Sequence, residues 1–300
     1  WVAVGTLDFR AGGILMGAVS EPVMAVLLVL YVFGVGKAAL MPFHGWLPAA
    51  MVAPTPVSAL LHAVAVVKAG VFTIVKIALY IFGLDAIRDF ASADWLFYVA
   101  GATILIASLI ALRQDNLKRR LAYSTVSQLS YIILGAAIAT GASVVGGGMH
   151  IAMHAFGKIT LFFCAGAIYT AHKLTLVSEM NGIGRKMPVT MAAFLIGALS
   201  VIGLPPMGGA WSKWQLMLGA AEAEQFVFIA VWMLSSVLSA AYLIPLVLRA
   251  FFQPFPDPAS AGAAAAGGDT GGIEEAPLFC LIAICISAAG TFILFFLAGE

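Results

Sequence analysis

Apolar runs long enough to cross a lipid bilayer recur along almost the whole of this 300-residue chain, separated by short polar stretches. A helix needs ~20 such residues to span ~30 Å of hydrocarbon, and lipid admits only helices and closed barrels. Runs of this length are helices. The composition agrees, with 62% hydrophobic and 10% charged residues, against ~25% charged in ordinary soluble domains. The fold class predicted is an all-α polytopic membrane protein.

Residues 1–21 are short and mixed and read as an extracytoplasmic loop leading to Pro22, which suits a first helical turn. Val23 to Met41 forms a first span, with Lys37 near its end. In MPFHGWLPAAMVAPTP, residues 41–56, the prolines at 42, 48, 54 and 56 and Gly45 exclude a continuous helix, although the segment stays apolar. A broken or re-entrant piece is expected. Val57 to Phe82 is a second span, with Thr55 as its cap candidate; it carries His62, Lys68 in mid-span, and Lys76 where it can snorkel.

Trp95 to Leu112 is a third span with Asp94 as N-cap candidate. The fourth, Leu121 to Thr140, holds Ser124, Thr125, Ser127, Gln128 and Ser130, too hydroxylated for a lipid face, and is placed in the interior. Val144 to Ala171 is the fifth, and its Gly146-Gly147-Gly148 start allows a close neighbour. Val189 to Gly203 is too short to cross alone and runs into LPPMGGAWSKWQLMLGA, a second Pro/Gly break followed by Lys213. Phe226 to Phe252 and Pro277 to Leu297 complete eight spans, joined by a low-complexity linker at 253–276. Paired interrupted segments are the best sequence pointer to an ion or substrate site at the midplane of an inverted-repeat transporter.

Orientation follows from the basic residues. Arg113, Lys118, Arg119 and Arg120, then Lys173, Arg185 and Lys186, then Arg249 fall on one side by parity, while the opposite loops offer Arg10 and Arg88. The positive-inside rule puts the Lys/Arg-rich side in the cytoplasm, and a bacterial cytoplasmic (inner) membrane is expected.

Within the fifth span, MHIAMHAFGKITLFF repeats a polar group every four residues: His150, His154 and Lys158. Each step turns a helical side chain by only ~40°, so the three share a face and span ~12 Å. Ionisable residues inside a spanning helix usually face the bundle interior or a water-filled cavity. Lys37, Lys68, Lys76, Lys158 and Lys213 lie in spans or breaks, whereas all fourteen acids fall in loops, caps or ends. Burial and neighbouring lysines both disfavour the charged ammonium, which makes it ready to release a proton. Imidazoles at 62, 150 and 154 accept on one nitrogen while donating from the other. The candidate relay is therefore Lys37, Lys68, His62, His150, His154, Lys158 and Lys213.

Other chemistry is weakly supported. A lone His such as His62 or His44 also serves as an interhelical hydrogen-bonder. No carboxylate or thiolate joins the ladder to make a metal site, and a lysine repels a cation. Nucleophile, nucleotide and redox motifs are absent from the sequence. No catalytic residue and no cofactor are assigned to this chain, and an enzyme reading rests on partners. With a net charge of +1 and a pI near 7.9 there is no nucleic-acid partner. Cys164, Cys280 and Cys285 fall in apolar spans without paired spacing and read as small core residues.

Three stretches carry a resemblance to a known family. GKAALMPFHGWLPAAMVAPTPVSALLHAVAVVKAGVF, HAFGKITLFFCAGAIY and GLPPMGGAWSKWQL resemble the antiporter-like membrane subunits shared by respiratory complex I, membrane-bound hydrogenases and Mrp-type multisubunit Na⁺/H⁺ antiporters, with the Mrp D subunit favoured. The resemblance covers most of residues 30–250. It implies two five-helix inverted repeats, each with a broken helix, around a central proton-carrying lysine axis. Lys37 then resembles the lysine before the first break, Lys68 the one on the following helix, Lys158 the central connecting lysine with His150 and His154 beside it, and Lys213 the lysine at the second break.

On this resemblance residues 22–84 are the last two helices of the first repeat, 95–252 the second repeat, and 277–300 a trailing helix. The family pairs the first broken-helix lysine with a glutamate on an earlier helix; Glu21 is not its equivalent, and the opening at Trp1 suggests an N-terminally incomplete sequence. The expected function is proton translocation, with Na⁺/H⁺ exchange as a variant, alongside other membrane subunits of a multisubunit antiporter or respiratory complex. The alternatives are a stand-alone transporter of a small solute and a non-transporting scaffold subunit of a quinone- or hydrogenase-linked complex.

Overall fold

A computed structural model describes residues 4–6, 8–15, 17–89, 93–255 and 272–298. The chain order is α1 (Glu21–Gly34), α2 (Trp46–Ala49), α3 (Thr55–Ala63), α4 (Val66–Ile77), α5 (Leu84–Asp89), α6 (Trp95–Arg113) and α7 (Leu117–Ile138), then α8 (Gly141–His172), α9 (Ile183–Lys186), α10 (Pro188–Ile202), α11 (Gly209–Glu222), α12 (Phe226–Phe252) and α13 (Leu278–Leu297). Among the described residues, six helical segments are long and apolar enough to cross a membrane, α3 with α4 counting as one, and α1 and α10 are shorter apolar helices that stop at breaks. The eight crossings expected are thus present as continuous and interrupted helices.

The interruptions differ in detail from expectation. The first span ends at Gly34 rather than Met41, and Lys37 lies in a single 3₁₀ turn, Gly36–Ala38. The second span is not continuous. It breaks at Val64 and Ala65, whose N–H groups both return to the Leu60 carbonyl, three residues before Lys68. No Pro or Gly marks this break. Thr55 is the first residue of α3 and not its cap, and Asp94 makes no side-chain cap bond. The loop carrying Arg88 after the second span contains α5.

α7 occupies the centre. Every residue from Leu121 to Ile138 except Tyr123 is buried, the interior position its hydroxyl content predicts. Asn116 caps it by accepting from the Arg119 N–H, and α8 begins in a reciprocal box between Thr140 and Ser143. Gly146 lets α8 approach α11, since a Cβ there would collide with the Gln215–Leu216 backbone. Cys164 is buried, but Cys280 and Cys285 are exposed on α13, correcting their assignment to the core.

The Lys/Arg-rich loops meet at one end. Leu117 N–H donates to Thr175 C=O at 3.0 Å, Val177 N–H to Asp115 C=O at 2.8 Å, Gly182 N–H to Arg249 C=O at 3.1 Å, and Lys118 Nζ to Ala53 C=O at 2.8 Å. These bonds require the ends of α6, α8 and α12 to share a side, as the parity argument expects. Of the 253–276 linker, residues 256–271 lie outside the described residues.

Candidate functional site

The α8 ladder faces inward as its spacing predicts, with His150, His154 and Lys158 all buried. Each rung meets a different partner. Lys68, delivered by α4 one turn after the unexpected break, places Nζ 2.6 Å from His154 Nδ1. The contact forms only when at least one member of the pair is neutral, because two cations would present donors to each other. His154 Nε2 is buried without a partner.

His150 stacks on His154, with ring centroids 5.6 Å apart and planes 21° apart, so no direct ring-to-ring hydrogen bond connects them. Its Nε2 lies 3.1 Å from Gln128 Oε1, and its Nδ1 lies 2.9 Å from Ser212 Oγ. Ser212 also reaches Gly209 C=O at 3.1 Å. A neutral imidazole accepts from the Ser212 hydroxyl; a protonated one donates to it while that hydroxyl turns to Gly209. His150 can therefore change charge with both nitrogens bonded throughout.

Lys158 Nζ donates to Leu121 C=O at 3.1 Å and is completely buried. One turn on, Phe162 extends the same face and His62 stacks on it at 4.9 Å, both of its ring nitrogens unpartnered. Lys213 follows the second break. Its Nζ donates to the Val201 and Ile202 carbonyls at 2.9 and 2.8 Å and to Ser236 Oγ at 2.9 Å, and lies 5.0 Å from the Tyr131 ring centroid. The two carbonyls belong to the end of α10, so the ammonium sits where an interrupted helix concentrates negative partial charge. Beside it opens a cleft of about 610 Å³ lined in part by Trp211, Trp214 and Ser236.

Six of the seven predicted residues are thus enclosed in one bundle interior, and among the described residues no carboxylate forms an ion pair with any of its lysines. Lys37 departs from this. Its backbone packs on Gly70 of α4, but its side chain is exposed beside Phe33, Phe43 and Trp46, because the turn carrying it lies on the outer side of α4. Lys76 lies 4.2 Å from the Phe9 ring centroid instead of in the row. Sequence reasoning assigned no role to Ser212, Tyr131 and Ser236, and noted Gln128 only as a sign of an interior helix. Tyr131 stacks on His150 with planes 9° apart, and a helical projection of α7 would have put it on the same stripe as Ser124, Ser127 and Gln128.

The family model described as NADH:quinone oxidoreductase/Mrp antiporter, TM, matches residues 2–239. The chain belongs to this family. Subunit N of the NADH-quinone oxidoreductase of Desulforudis audaxviator is 39% identical over 261 residues, covering 86% of this chain and 52% of that protein. Subunit L of the Rickettsia bellii enzyme is 36% identical over 225 residues, covering 75% and 34%.

Solved structures share the fold at lower identity. The Mrp complex from Dietzia sp. contains a chain with a TM-score of 0.79 at 23% identity, covering 93% of this chain and 57% of that one. In respiratory complex I from Thermus thermophilus the values are 0.72 and 24%, covering 99% and 61%. The chain spans about half the length of subunit N and about a third of subunit L.

Proposed function

We propose that this chain is the proton-carrying part of a membrane subunit that works within a multisubunit respiratory or antiporter complex. The observation that carries this reading is the enclosed row Lys68, His154, His150 and Lys213, with Lys158 one turn and His62 two turns further along α8 and, among the described residues, no carboxylate ion-paired to its lysines. Lys68 and His154 hold one proton between them. His150 receives it through a water in the gap left by ring stacking, and Lys213 exchanges it at the second break. Lys158 acts as the neighbouring charge that pushes the proton off Lys68. Lys37, on the outer side of α4, is assigned to a contact with another helix or subunit rather than to this row.

Partners would be further membrane subunits, the transported species H⁺ with Na⁺ as a possible counter-ion, and the setting a bacterial cytoplasmic membrane with the Lys/Arg-rich face inside. Residues 22–84 and 95–252 would belong to successive inverted repeats, with 253–276 as a linker and 277–300 as a trailing helix. The test is Lys158→Ala in the protein as assembled in its native complex, reconstituted into proteoliposomes. Abolished proton movement with intact assembly is expected. Undiminished pumping or antiport would rule out the relay.

A further inference from the structure

At the Lys/Arg-rich end the bundle carries a cleft that the proton row does not use. Its volume is about 810 Å³, and it opens between the starts of α3, α7 and α13 and the end of α8, with Thr55, Lys118, Phe163, Thr170 and Phe279 among its walls. The cleft changes character with depth. Lys118 and Thr170 stand at its outer end, because the bond from Leu117 N–H to Thr175 C=O holds the first turn of α7 level with the loop after α8. Phe163 lies seven residues back along α8, ~10 Å deeper into the bilayer. Thr160 donates to Ser287 at 2.9 Å, which brings Ala283 of α13, one turn before Ser287, to the same depth as Phe163. The floor there is apolar.

The outer end is cationic and not neutralised. Lys118 Nζ donates to Ala53 C=O at 2.8 Å, which leaves two of the ammonium's three donors. Lys173 Nζ lies 5.2 Å from the ring centroid of Tyr169, which also lines the cleft. Among the described residues no Asp or Glu lines the cleft, and neither ammonium is ion-paired. Water alone is a poor occupant, since it would keep Phe163 and Phe279 wet. A wholly apolar helix would cover the floor but leave the two charges unmatched. Both parts are met at once by an anionic group joined to hydrocarbon.

We propose that this cleft binds an anionic phospholipid from the leaflet on the Lys/Arg-rich side, with its phosphate between Lys118 and Lys173 and an acyl chain laid along Phe163 and α13. Basic pockets between spanning helices recognise such headgroups through charge. The lipid fills the gap that α3 and α13 leave along α8. The site stands apart from the relay, because neither of its lysines belongs to the row.

The test uses the native complex in phosphatidylcholine nanodiscs doped with a trace of photoreactive lipid, either phosphatidylglycerol or phosphatidylcholine carrying the same diazirine-labelled acyl chain. Mass spectrometry identifies the cross-linked peptides. Each lysine near an anionic headgroup is worth about a fivefold gain in binding, so the phosphatidylglycerol probe should label the peptides holding Phe163 and Ala283 roughly ten- to thirtyfold more than its zwitterionic counterpart. Lys118→Gln/Lys173→Gln should bring the two probes to parity while the complex still assembles on native gels. Equal labelling by both probes in the wild type would overturn the proposal, and that comparison needs no variant to fold. No labelling of these peptides by either probe, with other outward-facing helices labelled, would overturn it in favour of a protein segment seated in the cleft. A preference that survives in the double variant would overturn the assignment to these two lysines.

Discussion

Lys68 Nζ and His154 Nδ1 stand 2.6 Å apart between α4 and α8, and the pair forms only because α4 restarts after a break at Val64 and Ala65. Without the break, α3 would continue in helical phase and Lys68 would rotate away from the α8 ladder. A charge-assisted hydrogen bond in such a site is worth ~1.5–3 kcal/mol, and 1.4 kcal/mol is a factor of ten. Lys68→Met, which keeps the apolar stem, is accordingly expected to slow proton movement by about ten- to a hundredfold while leaving assembly intact. Lys68→Arg should fail equally, because a guanidinium does not release its proton. Flux measured with a pH dye in proteoliposomes checks both.

Much of this site is legible in the sequence. The four-residue spacing of His150, His154 and Lys158 settles their common face, and the prolines at 205 and 206 announce the break before Lys213. The break before Lys68 was not legible, because HAVAVVKAG contains no residue that forbids a helix there; after it α4 packs closely on the Lys37 turn at Gly70, a tertiary contact that local propensity does not report. The outward placement of Lys37 was not legible for a related reason. Its sequence neighbourhood is apolar, but apolar neighbours in a membrane protein do not distinguish a side chain facing the bundle from one facing outward. The exposed cysteines of α13 illustrate the same ambiguity.

Ser212 and Gly209 give His150 a hydrogen-bonded arrangement in either charge state. Ser212→Ala removes the partner of Nδ1 in both and leaves a buried nitrogen unpaired, at a cost of ~1–3 kcal/mol. A drop in proton flux of about fivefold to a hundredfold is expected, with Ser212→Thr retaining most of it. If Ser212→Ala pumps at the wild-type rate, proton transfer does not pass through His150 Nδ1.

Lys213 has a structural duty as well as its place in the row. Its ammonium bonds two carbonyls at the end of α10 and one hydroxyl of α12, so Lys213→Met leaves three acceptors unmet at the second break. The melting temperature of the detergent-solubilised complex should fall, in line with a loss of ~2–4 kcal/mol for buried acceptors left without their charged donor, and transport should cease. Lys158→Ala leaves no acceptor unmet, because the Leu121 carbonyl also accepts from the Thr125 hydroxyl at 2.9 Å, and should lose transport with a smaller loss of stability. Equal melting temperatures for the two variants would contradict the difference in their bonding.

At the Lys/Arg-rich end, Asp115 accepts from the Ser178 N–H at 3.0 Å and from its hydroxyl at 2.7 Å, tying the loop after α8 to the start of α7. The site is exposed and far from the row, so Asp115→Ala is expected to cost ~1 kcal/mol of stability and leave the transport rate per assembled complex unchanged. A transport defect as deep as that of Lys158→Ala would show that this loop takes part in proton entry.

Thiol chemistry separates the faces of α8 and α13 directly. Cys164 is enclosed among α8 and α10 and its thiol donates to the Thr190 carbonyl at 3.3 Å, whereas Cys280 and Cys285 are exposed on α13. A membrane-permeant maleimide applied to this chain alone in detergent should modify Cys280 and Cys285 and leave Cys164 untouched until the protein is unfolded, which mass spectrometry of peptides resolves. In the intact complex the same reagent reports whether a neighbouring subunit covers α13: protection of Cys280 and Cys285 there, with labelling in the isolated chain, places a partner on this helix, and equal labelling in both places lipid on it. Modification of folded Cys164 in either preparation would contradict the packing of α8 against α10.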